Sequence, residues 1–525
     1  MNKWLKIVVP ILLGAVLVYA TVLFLAWHSD RTARLIAEKA IAAALKELNN
    51  PQADQEARLA AEKSRKELQE HGFKLTISEF DFTTSPEIRA RAAAITNVSF
   101  LYSRDWADFY VPLPRQTNFV WARPLGSNTA LVTWKQAKLG TGPSINLWND
   151  LREMIMPENS VLNTACQSAL SGPIGFEPVP TGTTWILSYL SNLRMLGQIL
   201  AARTVLELHD GNRDQAWTNL LAVTRLITAW NPEPLGICLD TRFREMRNVV
   251  EPAVWEALQY TNWTEEQLVS LQREWESADF FARLPDTVNP ELAGMLSICE
   301  LKQQQLSNDL AGSLGQLQEL TSELPEHGWE NRAQRTMEKI TGQLYLARGF
   351  FQDKDALIRY FLNRESQIKQ AISKNSWAEM CATPGVTNVV FFQTKAKSSQ
   401  MAYLVFNWRY SVDSNGKTVL WGRASEAEAR RRLIVTAIAL ECFRLQNGKY
   451  PQTLDELVPR FLKVPPIDFM DGQPLRYRRT NDGHFILYSV GLDCHDDGGI
   501  MRMPNQSPLS PRNNFDLVWP LPVNP

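Results

Sequence analysis

Three aspartates crowd one short stretch near the end of the 525-residue chain. Two glycines follow them directly, so that the group consists of Asp493, Asp496, Asp497, Gly498 and Gly499. Calcium takes six to eight oxygen ligands from carboxylates, backbone carbonyls and water, and glycines let a backbone curl so that carbonyls face a cation. The stretch therefore predicts a calcium site. A solvated acidic turn that binds nothing has the same pattern, and Cys494 and His495 interrupt the run, so both interpretations stay open.

The sequence lacks the common motifs of enzyme active sites and nucleotide-binding loops. It has no H-E-x-x-H pair for zinc, no G-x-S-x-G elbow for a serine nucleophile, and no Walker or G-x-G-x-x-G loop for phosphates. The six histidines lie far apart along the chain: His28, His71, His209, His327, His484 and His495. The sequence therefore names no catalytic residue and does not favour an enzyme.

Composition excludes one broad class and leaves others open. The chain carries 55 Lys and Arg against 56 Asp and Glu, whereas a general nucleic-acid binder would show a basic excess. The 17 tryptophans are expected in cores and interfaces, with a sugar-stacking surface as the alternative. No C-x-x-C pair occurs among the cysteines, which predicts mainly buried thiols, with one or two disulfides if the chain is exported. They are Cys166, Cys238, Cys299, Cys381, Cys442 and Cys494.

Residues 7–27 predict a membrane anchor. They contain no charged residue, and about 20 apolar residues span a bilayer as a helix. Lys3 and Lys6 precede the run and Trp27 closes it as an interfacial residue. No small-residue cleavage site follows, so residues 1–29 read as an uncleaved anchor. Basic residues lie on both sides of the span, but a short tail before a first helix favours a cytoplasmic N-terminus and a large region outside.

The chain after the anchor divides into a charged helical part and a strand-rich part. Residues 30–72 show helical spacing with many charges and predict two juxtamembrane helices, the second over about 52–71. Residues 73–145 predict a small strand-rich unit. Its first strand is expected at Lys74–Phe82, where apolar and polar residues alternate, and a helix is expected to start at Ser85-Pro86. Further strands are predicted at Ile95–Tyr102, Phe119–Ala122 and Thr129–Trp134.

Residues 146–412 predict a mainly helical region. Its first part, residues 146–182, is expected to be loop-rich, with a loop rich in glycine and proline over 166–182, and helices dominate after it. A helical hairpin is expected around Asp210-Gly211, and Thr264 with Gln267 forms a capping box that opens another helix. Later helices are predicted over 290–323, 331–348 and 353–375.

The last hundred residues have a distinct order of signals. A capping box at Ser425 predicts a helix that Gly448 stops, and Thr453 with Glu456 caps a short one. Asn481-Asp-Gly483 predicts a tight hairpin turn, the return strand is His484–Val490, and the acidic loop follows over residues 491–499.

This order resembles the globular part of the major pseudopilins of type II secretion systems. The resemblance covers about residues 425–519, and the whole chain also looks like a type of large, membrane-anchored bacterial protein that carries such a module at its C-terminus. The matching residues are Gly448, Tyr450, Pro451, Asp471, Gly472, Pro474, Tyr477, Leu487, Tyr488, Ser489, Gly491 and Asp493. The resemblance implies an α+β module over 424–525. It also implies that a later aspartate closes the calcium site, with Asp516 in that place and the Leu492 carbonyl as a further ligand.

The resemblance is carried over for the fold alone. A pseudopilin begins with a prepilin-peptidase site, which residues 1–6 lack, and its helix continues directly from its membrane anchor. Here a long region separates Trp27 from Ser425. Assembly into a pseudopilus is therefore not expected.

Together these signals predict an α+β chain that is mainly α. The favoured function is a single-pass bacterial inner-membrane scaffold, with the lipid bilayer bound through residues 7–27, protein partners on the helical region, and no nucleic acid. One alternative is an envelope hydrolase acting on cell-wall or polysaccharide material, because the loop over 166–182 could rim a cleft lined by tryptophan. The other is an accessory protein of a secretion apparatus.

Overall fold

The structure is a computed structural model, and it describes only part of the chain. The described residues are 51–97, 147–181, 184–298, 300–301, 350–383, 386, 420–499 and 516–519, with two-residue strands at 109–110, 114–115, 119–120 and 130–131. The predicted anchor at 7–27 and the predicted helix at 331–348 lie outside these residues. Within the described part, no helix combines the length and apolarity needed to cross a bilayer.

The described part is mainly helical with small sheets. A helical stretch over 288–298 and a π-helical turn at Met246–Val250 accompany the labelled helices. Those helices are α1 Pro51–Glu70, α2 Pro86–Thr96, α3 Leu147–Ile155, α4 Asn159–Leu170, α5 Tyr189–His209, α6 Arg213–Thr228, α7 Gly236–Glu245, α8 Glu251–Leu258, α9 Glu265–Glu276, α10 Phe350–Ile372, α11 Trp377–Cys381 and α12 Leu420–Asn447.

The strands form small, local sheets. β1 Phe109–Tyr110 pairs in parallel with β4 Ala130–Leu131, and β2 Pro114–Arg115 pairs antiparallel with β3 Phe119–Val120. β5 Val179–Pro180 and β6 Trp185–Ile186 form an antiparallel pair. The last hundred residues contain three strands, β7 Arg476–Arg479, β8 Phe485–Ser489 and β9 Leu517–Val518. β8 lies between its two antiparallel neighbours, with Tyr488 opposite Arg476 on one side and Val518 on the other.

The strand predicted at Lys74–Phe82 is wrong. Residues 77–79 form a 3₁₀ turn instead. The Glu79 carboxylate accepts the N–H groups of Leu75 at 3.2 Å and Thr76 at 2.9 Å, and it also accepts the Thr76 hydroxyl. This local capping box satisfies backbone groups that a strand would have left for a neighbour. The alternation arises because Leu75 and Ile77 are both buried. The strand predicted from Ile95 is also wrong at its start, since Ile95 belongs to α2.

Several predicted helix ends are confirmed by their capping contacts. The Ser85 hydroxyl accepts the Ile88 N–H at the start of α2. The Thr264 hydroxyl accepts the Gln267 N–H at 3.2 Å, and the Gln267 side chain accepts the Thr264 N–H at 3.0 Å. Gly211 takes a φ of +79° between α5 and α6, a left-handed conformation that favours glycine. α5 and α6 pack against each other as the predicted hairpin.

The start predicted for α12 at Ser425 is wrong. The helix begins at Leu420, and Ser425 lies fully buried inside it. Leu420, Trp421 and Ala424 are also buried, so tertiary packing extends the helix beyond the capping signal. α12 packs against α7, α8 and α9, and its buried residues belong to the same hydrophobic cluster as those of the helical region.

α7 and α8 form one interrupted helix opposite α12. Pro252 lacks an N–H and breaks the α-helical hydrogen-bond ladder, and the π-helical turn directly precedes it. Residues on both sides of this turn carry charges to the α12 interface. Glu251 and Asp240 are buried there, and they form ion pairs with Arg430 and Arg423 of α12.

Candidate functional site

The predicted calcium loop follows β8 and is shaped by left-handed backbone conformations. The Cys494 N–H donates to the Gly491 carbonyl at 3.2 Å and closes a turn. Gly498 and Gly499 take φ values of +80° and +76°. A Cβ on Gly499 would lie 3.0 Å from the Tyr488 ring, so the residue must be glycine for packing as well as for conformation.

The Asp496 carboxylate makes contacts within the protein. It accepts the Tyr488 hydroxyl at 3.0 Å and the Gly498 N–H at 2.9 Å. It also lies 3.4 Å from the Arg476 guanidinium. The Gly498 N–H, Tyr488 and Arg476 contacts lower the pKa of Asp496. Asp496 therefore ties the loop to β7 and β8.

Asp516 does return to the loop, although the chain between 500 and 515 lies outside the described residues. Its carboxylate accepts the Gly499 N–H at 2.7 Å and the Asp497 N–H at 3.3 Å. Burial raises the pKa of Asp516, and the charges of Asp496 and Asp497 add to the increase. Asp516 therefore serves as an internal acceptor for the loop backbone.

Asp493 is exposed, and its carboxylate accepts the His495 N–H at 3.1 Å. Burial of its inner side raises the pKa of Asp493, and the nearby Asp497 charge raises it further. Asp497 itself lies 3.8 Å from the His495 ring. In the part of the chain that the structure covers, no three His, Cys, Asp or Glu side chains converge on a metal position. The calcium site stays a prediction.

We expect calcium to raise the melting midpoint of the full chain relative to EGTA, because a divalent cation would relieve the repulsion between Asp493 and Asp497. Asp493→Asn should remove this difference. Asp516→Asn should lower the midpoint in both buffers, since one of the two N–H groups bound to the Asp516 carboxylate loses its acceptor. Asp482→Asn, in the exposed hairpin turn, is the control that keeps the calcium effect. Differential scanning fluorimetry measures the melting midpoints of the wild type and the three variants in both buffers. Identical midpoints of the wild type in calcium and EGTA would contradict the site.

A buried aspartate in the segment before β7 accepts hydrogen bonds from several groups beneath this loop. Asp468 has no exposed surface. It accepts the N–H groups of Met470 and Val490, each at 2.9 Å, and the Ser489 hydroxyl at 2.7 Å. Arg476 lies 3.1 Å away and also pairs with Asp471. Only tertiary structure brings these groups together, because Ser489 ends β8 and Val490 follows it, whereas Asp468 precedes β7.

A second buried acid, Glu233, was not a candidate in the sequence analysis and holds the loop rich in glycine and proline by hydrogen bonds. Glu233 is 5% exposed, and its carboxylate accepts the Phe176 N–H at 2.6 Å and the Tyr189 hydroxyl at 2.7 Å. The Tyr189 oxygen also lies 3.3 Å from the Cys238 sulfur. Ile174 pairs with Trp230 as an isolated bridge. The middle of the loop over 166–182 packs into the core, because Ile174 and Phe176 are buried.

Glu233 predicts a pH-dependent stability. Burial raises the pKa of Glu233, and its hydrogen-bond donors offset only part of the increase. Wild-type stability should therefore fall as the pH rises from the ordinary carboxyl pKa through the raised one. Glu233→Gln removes that charge, so its stability relative to wild type should increase over this window and be greatest above it. Urea unfolding at several pH values measures the difference.

Glu177 provides a control of opposite sign. Contacts with the Thr84 N–H, the Thr84 hydroxyl and Arg89 lower the pKa of Glu177, so its stabilising effect is present above the unfolded pKa and disappears as the pH falls through the folded one. Glu177→Gln should lose stability at neutral pH. A Glu233→Gln variant whose stability followed the wild type at every pH would contradict the assignment of Glu233.

The tryptophans of the described part lie in the core. Trp148, Trp230, Trp255, Trp275 and Trp421 are each at most 2% exposed. Trp185 and Trp217 are half-buried. Trp185 makes edge contacts with Phe80 and Phe82. Most of the tryptophans among the described residues therefore contribute to packing, as expected for residues of this type.

An open polar depression lies at the turn of the α5–α6 hairpin. Its volume is about 670 Å³. The Asn212 amide donates to the Glu207 carboxylate at 2.8 Å, and Arg213 pairs with Asp214 at 3.0 Å. Charges of both signs and amides therefore meet at one end of a rigid hairpin. The lining residues are Glu207, Gly211, Asn212, Arg213, Asp214, Gln215, Tyr260 and Asn262.

Comparisons with known proteins add no family assignment. No protein-family model, curated protein or solved structure matches this chain. The likeness of residues 425–519 to pseudopilins therefore remains an expectation.

Proposed function

We propose that the chain is a scaffold of the bacterial inner membrane, anchored by residues 7–27 and placed outside the cytoplasm, with protein partners on its helical region. The proposal extends the anchor signal and the pseudopilin-like order of the last hundred residues. It also draws on α12, the long helix of that module. Since α12 is buried against α7, α8 and α9, the module would act as a fixed part of the scaffold rather than as a subunit of a filament.

The observation that carries the proposal is the polar depression at the α5–α6 turn. It is open to solvent, mixed in charge and presented by two long, tightly packed helices. Such a surface suits a transient protein contact, whose rim is polar and whose position is rigid. Asp214 is exposed in this depression, so a crosslinking residue placed there would contact a bound partner.

Site-specific crosslinking tests the partner surface. A photoreactive residue at Asp214 should give a discrete adduct with a partner protein in cells, whereas the same residue at the exposed Lys374 should not. Equal adducts at both positions, or none at Asp214, would contradict the proposed contact. Secretion subunits in the adduct would favour the accessory-protein alternative.

The location is tested separately by cysteine labelling. A membrane-impermeant maleimide should label Lys449→Cys in intact spheroplasts, because residue 449 is exposed in the C-terminal module. Asn2→Cys, on the predicted cytoplasmic side, should react only after lysis. The unsubstituted chain gives the background from native cysteines. Labelling of Lys449→Cys only after lysis would overturn the extracytoplasmic placement.

A further inference from the structure

Helix α11 and the acidic loop meet at shared backbone contacts. The Trp377 indole N–H donates to the Leu492 carbonyl at 2.8 Å, and the Trp377 backbone N–H donates to the Phe469 carbonyl at 2.8 Å. These bonds hold the short helix against two segments that lie far from it in sequence.

One carbonyl brings the helix and Cys494 together. The Ala378 N–H donates to the Met470 carbonyl oxygen at 2.9 Å, and the Cys494 thiol donates to the same oxygen at 3.3 Å. The Cys494 sulfur therefore lies directly beside the first turn of α11. Both Cys381 and Cys494 are half-buried thiols.

Cys381 lies one turn further along the same helix. Residues three apart share a helix face, and helical side chains lean toward the N-terminus. This geometry directs the Cys381 side chain back toward the turn that contains Ala378, and the Cys494 sulfur lies beside that turn. Burial raises the pKa of Cys381 to about 12, and the charge that Cys494 would carry contributes to that increase.

The backbone at Cys494 is itself unusual. Its φ of +56° is left-handed, a conformation that non-glycine residues rarely adopt and that persists where the surroundings hold it. This conformation directs the sulfur inward to Met470. Two of the other described cysteines have separate surroundings, Cys166 beside Asn219 and Cys238 beside Tyr189.

We propose that Cys381 and Cys494 form a disulfide that joins α11 to the acidic loop. For its oxidation in cells, the proposal rests on the extracytoplasmic location proposed above, since disulfides persist in oxidising compartments. The bond would close a long stretch of chain and restrict the unfolded ensemble. It would also hold the loop of Asp493, Asp496 and Asp497 against the core.

The bond forms by exchange with a disulfide donor, either a small disulfide such as oxidised glutathione or an envelope thiol oxidoreductase. One cysteine thiolate attacks a donor sulfur, which forms a mixed disulfide and releases one donor thiolate. The second cysteine thiolate attacks the sulfur of the first, forms the Cys381–Cys494 bond and releases the second donor thiolate. The two cysteine protons pass to the donor thiolates, and the donor gains two electrons. Both thiols are half-buried in the folded protein, so exchange is expected mainly before the loop packs.

Peptide mapping of the purified full chain tests the pair. The protein is incubated with oxidised or reduced glutathione, alkylated and digested without reduction. We expect a linked Cys381–Cys494 peptide only after oxidation, with a melting midpoint several degrees higher than in the reduced protein. Cys494→Ser should remove both effects, and Cys442→Ser should keep both. Alkylation of both cysteines after oxidation, or linkage of Cys494 to another cysteine, would overturn the pair.

Peptide mapping of the protein after alkylation inside intact cells distinguishes the proposed disulfide from the proposed extracytoplasmic location. A linked peptide in the cellular protein supports both. A linked peptide only after glutathione treatment supports the pair and counts against an oxidising location. No linked peptide in either sample overturns the pair alone, because labelling of Lys449→Cys reads the location independently.

Discussion

Replacing Arg430 by methionine should lower the free energy of unfolding by about 3–5 kcal/mol, the cost of leaving a buried ion without its partner. Arg430 lies in the middle of α12 and donates to both oxygens of Glu251 at 2.9 and 2.7 Å. Glu251 is 1% exposed and cannot exchange this partner for water. Urea unfolding of the full chain in detergent, followed by tryptophan fluorescence, measures the change.

A double variant separates the lost partner from lost packing. Arg430→Met with Glu251→Leu should recover much of the stability, because replacing both members of a buried pair by apolar residues is often neutral. Glu426, the other acceptor for Arg430, keeps Arg247 at 3.4 Å. Arg213→Met, which breaks an exposed pair with Asp214, should change little. A double variant as unstable as the sum of both single changes would contradict the pairing as the source of the effect.

Asp468→Ala should be comparably damaging, with a loss on the order of 3–5 kcal/mol, since buried donors left without an acceptor cost about 1–3 kcal/mol each. The N–H groups of Met470 and Val490 and the hydroxyl of Ser489 would lose their acceptor. Arg476 would lose one of its carboxylate partners. Denaturant unfolding gives the loss, and hydrogen exchange should show faster opening at Met470 and Val490.

An isosteric change tests whether hydrogen bonding rather than shape matters at this position. Asp468→Asn keeps the size of the side chain but turns one acceptor oxygen into a donor, so a large part of the loss should remain. Asp482→Asn, in the exposed turn between β7 and β8, should leave unfolding nearly unchanged. Full stability of Asp468→Asn would show that the hydrogen bonds of Asp468 contribute little.

Local signals in the sequence predicted many element ends correctly. The capping pairs at Ser85 and Thr264 and the positive-φ glycine at Gly211 act over a few residues, so their contacts can be inferred without a fold. The hairpin turn at Gly483 and the helix stop at Gly448 belong to the same class, each with a left-handed glycine. Residues 7–27 predict an anchor for an equally local reason, the length of one apolar run.

Tertiary structure decided the contacts that depend on several segments at once. The partners of Asp468 could not be inferred from the sequence, because Ser489 and Val490 belong to a later segment of the chain. Ser425 looked like a helix start, yet packing of Leu420 and Trp421 against other helices carries α12 further back. Composition and periodicity describe one segment's preferences, while burial of charges such as Glu251 depends on which segments meet. The proximity of Cys381 and Cys494 follows for the same reason from the fold, through the Met470 carbonyl that both segments approach.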